Sequence, residues 1–289
     1  MPNSLFAPVA RVERELDSLL PSASAAPSRL HRAIRYSLFA GGKRLRPILA
    51  VHAFRACGGR GDLIWPAASA LEMIHVYSLI HDDLPAMDDD DVRRGRPTVH
   101  RKFDEATAIL AGDSLLTLAF GVVAEKLPAG LARAASVEIA RGSGTAGMIG
   151  GQALDLAAEG RRASVPRVET IHRLKTAALI TASVRVGGIV ARAGAARLSA
   201  LTRYGRALGL AFQIVDDILD ETGDAKTLGK PVRRDRENGK MTYTRAAGLE
   251  KARSEAARLA RRARRALAGF GPAADSLRGL ADFVHQRSF

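Results

Sequence analysis

Helical periodicity constrains this chain more than any other feature. Apolar residues return at three- and four-residue steps over long Ala-, Leu- and Arg-rich windows, while alternating Val/Ile/Thr runs bounded by turns are nearly absent. An all-α fold is therefore expected. The pattern predicts helices over 8–20, 28–40, 46–57, 64–82, 104–125, 131–141, 145–157, 168–190, 196–221, 241–269 and 273–286. Breaks fall at Gly58-Gly59, Pro128, Pro166, Gly223 and Pro272. No Pro/Ser-rich linker, tandem repeat or composition shift interrupts the chain, so a single helical domain over 1–289 is expected.

Charge narrows the partners. Lys+Arg 44 against Asp+Glu 30 leaves +14, which favours anionic ligands. Aromatic residues are only 5%, too few for the base-stacking surfaces of many nucleic-acid binders, so no nucleic-acid partner is expected. The single Cys57 excludes an intramolecular disulfide and a cysteine metal cage, in keeping with a reducing compartment. The first twenty residues lack the basic-then-apolar order of a secretory signal. The most apolar stretch, 106–124, is crossed by Asp113, Ser114 and Thr117, which fits a buried helix and no transmembrane segment. Cytoplasmic location is the expectation.

Two apolar helical runs end in paired aspartates, ALEMIHVYSLIHDD at 70–83 and GRALGLAFQIVDDILD at 205–220. Asp216 and Asp220 are four residues apart and share a helix face, where two like charges repel unless a cation joins them. Oxygen ligands without a His/Cys set favour Mg2+ over zinc; a solvated helix end is the alternative. In the first run, Asp82 and Asp88 cannot share a face of a continuous helix. Pro85 removes a helical N–H and disfavours helix at Leu84, so the chain can leave the helix and return Asp88 toward Asp82. Asp89 to Asp91 read as solvated or capping charges. The polar connections 88–103 and 222–240 both start just after an aspartate pair and read as lids.

Cations accompany the carboxylates. Arg93 and Arg94 follow the first cluster as guanidinium forks suited to phosphate. GGKRLRP offers Gly41 and Gly42 for close backbone approach, then Lys43, Arg44 and Arg46 at a helix start, without the spacing of a P-loop. Only eight of the 44 basic residues are Lys, and four of these, Lys43, Lys175, Lys230 and Lys240, lie in candidate site motifs. His75, Gln152 and Gln213 are polar residues inside apolar helices, each open to a purely structural role. Carboxylates, cations and lids together point to a metal-bridged diphosphate.

The ordered set GGKRLRP, EMIHVYSLIHDDLPAMDDDDVRRGRPT, EATAILAGDSLLTLAF, GMIGGQALDL, IHRLKTAALI, LAFQIVDDILD and TLGKP resembles the trans-prenyltransferases, the polyprenyl synthetase family, and within it the bacterial farnesyl diphosphate synthases. The resemblance covers nearly the whole chain. It implies the isoprenoid synthase fold, an antiparallel helix bundle around a central cavity, usually as a homodimer. It also implies Mg2+ held by Asp82, Asp88 and Asp216, with Asp83, Asp217 and Asp220 acting through other ligands or water. Arg93, Lys175, Thr176, Gln213 and Lys230 would hold the allylic diphosphate, and Arg93, Lys175, Thr176 and Gln213 would serve its ionisation. Gly42, Lys43, Arg46, His75 and Arg94 would hold isopentenyl diphosphate, and Lys240 would approach when the lid closes.

The implied reaction joins isopentenyl diphosphate to dimethylallyl and then geranyl diphosphate. Tyr77, five residues before Asp82, matches the bulky aromatic that stops growth near C15 in the family, although it also suits an ordinary core. Geranylgeranyl diphosphate is the nearest alternative product. Two regions depart from the family pattern: Arg233 and Arg234 stand where relatives more often carry small residues, and the terminal QRSF lacks a final basic residue. Terpene cyclases are disfavoured by the intact second cluster and by Lys43, and a non-catalytic subunit of a heteromeric synthase by both intact clusters.

Overall fold

A computed structural model describes residues 5–222 and 240–286. Among them the chain is almost wholly helical, as the periodicity requires. In order come α1 (Val9–Leu19), α2 (Ser28–Leu38), α3 (Leu45–Ala56), α4 (Ile64–Asp82), a hairpin of β1 (Val92–Arg93) and β2 (Arg96–Pro97), α5 (Val99–Lys102), α6 (Glu105–Lys126), α7 (Ala129–Ser143) and α8 (Met148–Leu156). There follow α9 (Val165–His172), a π turn (Arg173–Ala177), α10 (Ala178–Val190), α11 (Ala195–Thr222), α12 (Tyr243–Ala247), α13 (Leu249–Ala266), a 3₁₀ turn (Pro272–Ala274) and α14 (Asp275–Gln286).

Two apolar cores flank the site. One gathers around α4, which packs on α6, and includes Leu71, Met73, Ile74 and Leu115. The other gathers around α11, which packs on α13 and α10, and includes Tyr204, Leu208, Ile214 and Ile218. α4 is apolar on every face and buried along most of its length, whereas α13 is amphipathic and exposes its Arg-rich side. By length and composition alone α6 could cross a membrane, but 44% of its most apolar window is buried in the bundle.

Three local predictions need correction. The connection 88–103 is folded: Arg94 and Gly95 both take positive φ, 53° and 72°, forming a two-residue turn that pairs β1 with β2, and α5 follows. Its run of charges masks a pairing only two residues long. The expected helix 168–190 contains the π turn, because one inserted residue barely disturbs an apolar pattern read at three- and four-residue steps. The expected helix 241–269 breaks at Gly248, whose φ of 86° lies outside the helical region. By contrast, the bounds predicted for α4 coincide with those observed.

Candidate active site

The ends of α4 and α11 converge on one cavity of about 600 Å³, whose walls include Asp82, Asp216, Lys175, Thr176 and Gln213. A second cavity of about 490 Å³ is lined by Lys43, Arg44, Arg46, Glu72, His75 and Arg94, among others. Arg46, His75, Phe212 and Asp216 belong to both walls, so the cavities are neighbours.

The first aspartate cluster is built as the Pro85 argument requires. The helix ends at Asp82, and the backbone N–H of Asp88 returns to the Asp82 carbonyl at 2.8 Å. Asp82 lines the cavity half-buried; burial raises its pKa to about 6 despite Lys175. Asp83 turns inward, 3% exposed, and accepts a 2.6 Å bond from Arg93 Nε. Burial outweighs that partner and raises the Asp83 pKa to about 6 as well. Burial opposes the charge of Arg93 too, but Asp83 overcomes it and raises its pKa. Lys240 Nζ lies 3.1 Å from Asp88 Oδ1, joining Lys240 to the first cluster.

The second cluster remains helical. Asp216 faces both cavities, while Asp217 and Asp220 are buried at 3% and 6%. Asp217 Oδ2 accepts the Tyr243 backbone N–H at 2.6 Å, and its Oδ1 accepts Gln213 Nε2 at 3.3 Å. Asp217 thereby anchors the chain three residues after Lys240. His172 Nε2 is 3.5 Å from Asp217 Oδ2, yet burial lowers the His172 pKa to about 3, so this contact is not an ion pair at neutral pH.

The π turn presents Lys175 and Thr176. Lys175 Nζ bonds Asp155 at 2.6 Å; burial opposes its charge, but Asp155 and then Asp82 overcome this and raise its pKa. Thr176 Oγ1 donates to Gln213 Oε1 at 2.6 Å. Gly151 is required here because a methyl group would strike the Lys175 backbone. Gln152, 9% exposed, lines the cavity with neither amide atom paired among the described residues.

In the second cavity Arg94, at the hairpin tip, donates to the Gly41 carbonyl and covers Gly42. A Cβ on Gly42 would stand 2.7 Å from Arg94 Nη1, and its φ of 125° independently demands glycine. Lys43 Nζ lies 5.4 Å from the Phe283 ring centroid. Arg46 Nε is buried without a hydrogen-bond partner among the described residues, and burial lowers the Arg46 pKa to about 10, leaving it charged at neutral pH. Burial, then Arg46 and Arg94, hold His75 neutral.

Arg44 corrects the reading of GGKRLRP as a run of phosphate-facing cations. It is 2% exposed and bound to Glu13 at 2.6 Å, Glu72 at 2.9 Å and the Leu38 carbonyl at 2.6 Å. Its charge is answered within the protein. Glu72 and Asp155 were not singled out as site residues, although an acid inside an apolar helical run was the available signal for both. Lys230, Arg233, Arg234 and the tail after Gln286 lie outside the described residues.

A divalent cation fits the donor set at the cavity. Asp82 and Asp216 supply hard carboxylate oxygens, Asp88 is folded back beside Asp82, and Lys240 and Lys175 already bring positive charge to the acids. Asp89, Asp91 and His100 also place ligand atoms within 4.8 Å of one another, but Arg101 Nε engages Asp91 at 3.0 Å.

The polyprenyl synthetase family model matches residues 27–268. This chain belongs to the polyprenyl synthetase family. It is 44% identical to the farnesyl diphosphate synthase of Escherichia coli (strain K12), covering 99% of each chain. It is 45% identical to a heterodimeric geranylgeranyl pyrophosphate synthase large subunit of Arabidopsis thaliana, covering 90% of this chain and 71% of that one. Among solved structures, a geranyltransferase of Helicobacter pylori complexed with magnesium and isoprenyl diphosphate superposes with a TM-score of 0.85 at 31% identity, covering 98% of this chain and 96% of that one. The fold is the all-α isoprenoid synthase fold, and the protein is a short-chain trans-prenyl diphosphate synthase.

Proposed function

We propose that the enzyme condenses isopentenyl diphosphate with dimethylallyl diphosphate and then with geranyl diphosphate, releasing farnesyl diphosphate. The observation that carries this reading is the pair of adjoining cavities. One joins both aspartate-bearing helix ends to Lys175, Thr176 and Gln213; the other is rimmed by Lys43, Arg46 and Arg94. Asp82, Asp88 and Asp216 would hold Mg2+, which supplies positive charge to a leaving diphosphate. Support comes from the carboxylate donors and from the magnesium bound by the Helicobacter relative.

The protein's own groups do the rest. Arg93, Lys175, Lys230 and Lys240 hold the allylic diphosphate while its C1–O bond breaks and the electron pair leaves with oxygen. The Thr176–Gln213 pair, fixed at 2.6 Å, turns oxygen dipoles toward the allylic cation, and the cavity's apolar wall of Leu116, Met148 and Phe212 excludes water. Lys43, Arg46, His75 and Arg94 orient isopentenyl diphosphate so that its double bond attacks C1. A proton then passes to the departing diphosphate.

Tyr77, 4% exposed, lies along the wall and favours C15 over the C20 product named for the Arabidopsis relative. The reading includes a cytoplasmic homodimer. Exposed Ile109 and Leu110 on α6 and Ile149 and Leu154 on α8 are the residues a second copy would cover. The test is product analysis after incubation with isopentenyl and dimethylallyl diphosphates, with Mg2+ or excess chelator. Mainly C15 alcohol after dephosphorylation, absent with chelator, is expected. C20 would refute the length assignment, and no condensation would refute the catalytic one.

A further inference from the structure

Tyr77 has an unusual problem for a side chain proposed to stop a growing chain. Its hydroxyl is buried without a hydrogen-bond partner among the described residues, and burial and then Asp82 push its pKa up to about 12, so it stays a neutral phenol held by packing. Among the described residues, the aromatic ring paired with it is His81, one helical turn on. The centroids are 5.9 Å apart and the planes meet at 76°, an edge-to-face contact.

His81 is itself fixed from the neighbouring helix. Its Nε2 lies 3.0 Å from the Ile109 carbonyl and 3.9 Å from Asp113 Oδ1, both on α6. Gly112 leaves the space the ring occupies, because a methyl at that position would overlap the imidazole. His81, Tyr77, Asp113 and Leu116 all line the larger cavity. The chain of contact therefore runs from α6 through His81 to the ring that bounds the chamber.

We propose that His81, seated in the notch at Gly112, is a positioning residue for product length. It holds the Tyr77 ring across the chamber, and without it the ring can swing aside and admit a longer chain. This inference rests on the reading of Tyr77 as the chamber's floor and adds to it a second helix and two residues, His81 and Gly112, that hold no metal or diphosphate in that reading.

The experiment compares C15 and C20 products and the rate of the first condensation in the full-length enzyme carrying Tyr77→Ala, His81→Ala, His81→Phe or Gly112→Ala. His81→Ala is expected to raise the C20:C15 ratio about two- to tenfold, the factor that loss of one such aromatic pair corresponds to. The rate of the first condensation should stay at the wild-type value, because neither His81 nor Gly112 belongs to the cations and carboxylates proposed to hold the diphosphates. His81→Phe, which keeps a ring against Tyr77, should keep the wild-type ratio. If His81→Ala fails to fold, Gly112→Ala reads the same contact by displacing the imidazole and should lengthen the product. A lengthened product from Tyr77→Ala with none from His81→Ala or Gly112→Ala would overturn the brace and leave the floor standing. An unchanged product from Tyr77→Ala would overturn both.

Discussion

The two aspartate-bearing helix ends look alike in sequence and are built differently. At the first, α4 stops at Asp82, the chain folds back, and Asp83 is held by the side chain of Arg93. At the second, α11 continues to Thr222, and Asp217 is held by the backbone N–H of Tyr243 and the amide of Gln213. The same division of labour emerges from both. The leading aspartate of each pair, Asp82 or Asp216, faces the cavity; the following one, Asp83 or Asp217, is buried and bound to the scaffold. Adjacent residues on a helix point about 100° apart, so a pair at a helix end naturally gives one residue to the cavity and one to the interior.

The largest effect should separate leader from follower. Asp82→Ala or Asp216→Ala should lower kcat/KM for condensation by roughly a thousandfold, the scale of losing a main electrostatic contributor at a reacting centre. Steady-state kinetics at saturating Mg2+ check this, and near-normal turnover in either variant would break the comparison.

A smaller effect should distinguish the two followers. Asp217→Ala leaves the buried Tyr243 N–H without its acceptor and should cost about 1–3 kcal/mol in denaturant unfolding. Asp83→Ala frees Arg93, whose half-buried side chain can reach water, and should cost about 1 kcal/mol or less. Equal losses would show that the Tyr243 anchor is worth no more than the Arg93 pair.

A further effect is in pH, and its sign differs between the two regions. The folded pKa of Asp83 is raised to about 6 above its ordinary 3.8, so its contribution is present below pH 4 and is lost as pH rises through 6. The folded pKa of His172, beside Asp217, is lowered to about 3 from 6.5, so its contribution is present above pH 6.5 and is lost as pH falls toward 3. Each group changes stability by at most about 1.4 kcal/mol per pH unit. Unfolding of Asp83→Asn and His172→Gln against wild type between pH 3 and 7 should show slopes removed in opposite directions.

Much of this site was legible in the sequence, and the reason is local. Pro85 forces the chain out of α4, and the return of Asp88 to Asp82 follows from that one residue. The largely apolar pattern of 64–82 likewise set the bounds of α4, which is buried along most of its length. What escaped depends on distant partners. Nothing near Arg44 announces that Glu13 and Glu72 will enclose it, and nothing near Lys175 announces Asp155. The hairpin that aims Arg94 is two residues wide, and the Tyr243 N–H that anchors Asp217 lies 26 residues away, across a connection the helical pattern does not describe.

The most direct test of the leader–follower division is metal binding itself. Mn2+ binding to the full-length protein with a non-reactive allylic diphosphate analogue can be followed by electron paramagnetic resonance, well below the unfolding temperature, in Asp82→Ala, Asp216→Ala, Asp83→Ala and Asp217→Ala. Loss of bound Mn2+ in the first two, with binding retained in the last two, is the expected result. Retention in Asp82→Ala and Asp216→Ala with loss in their neighbours would contradict the account.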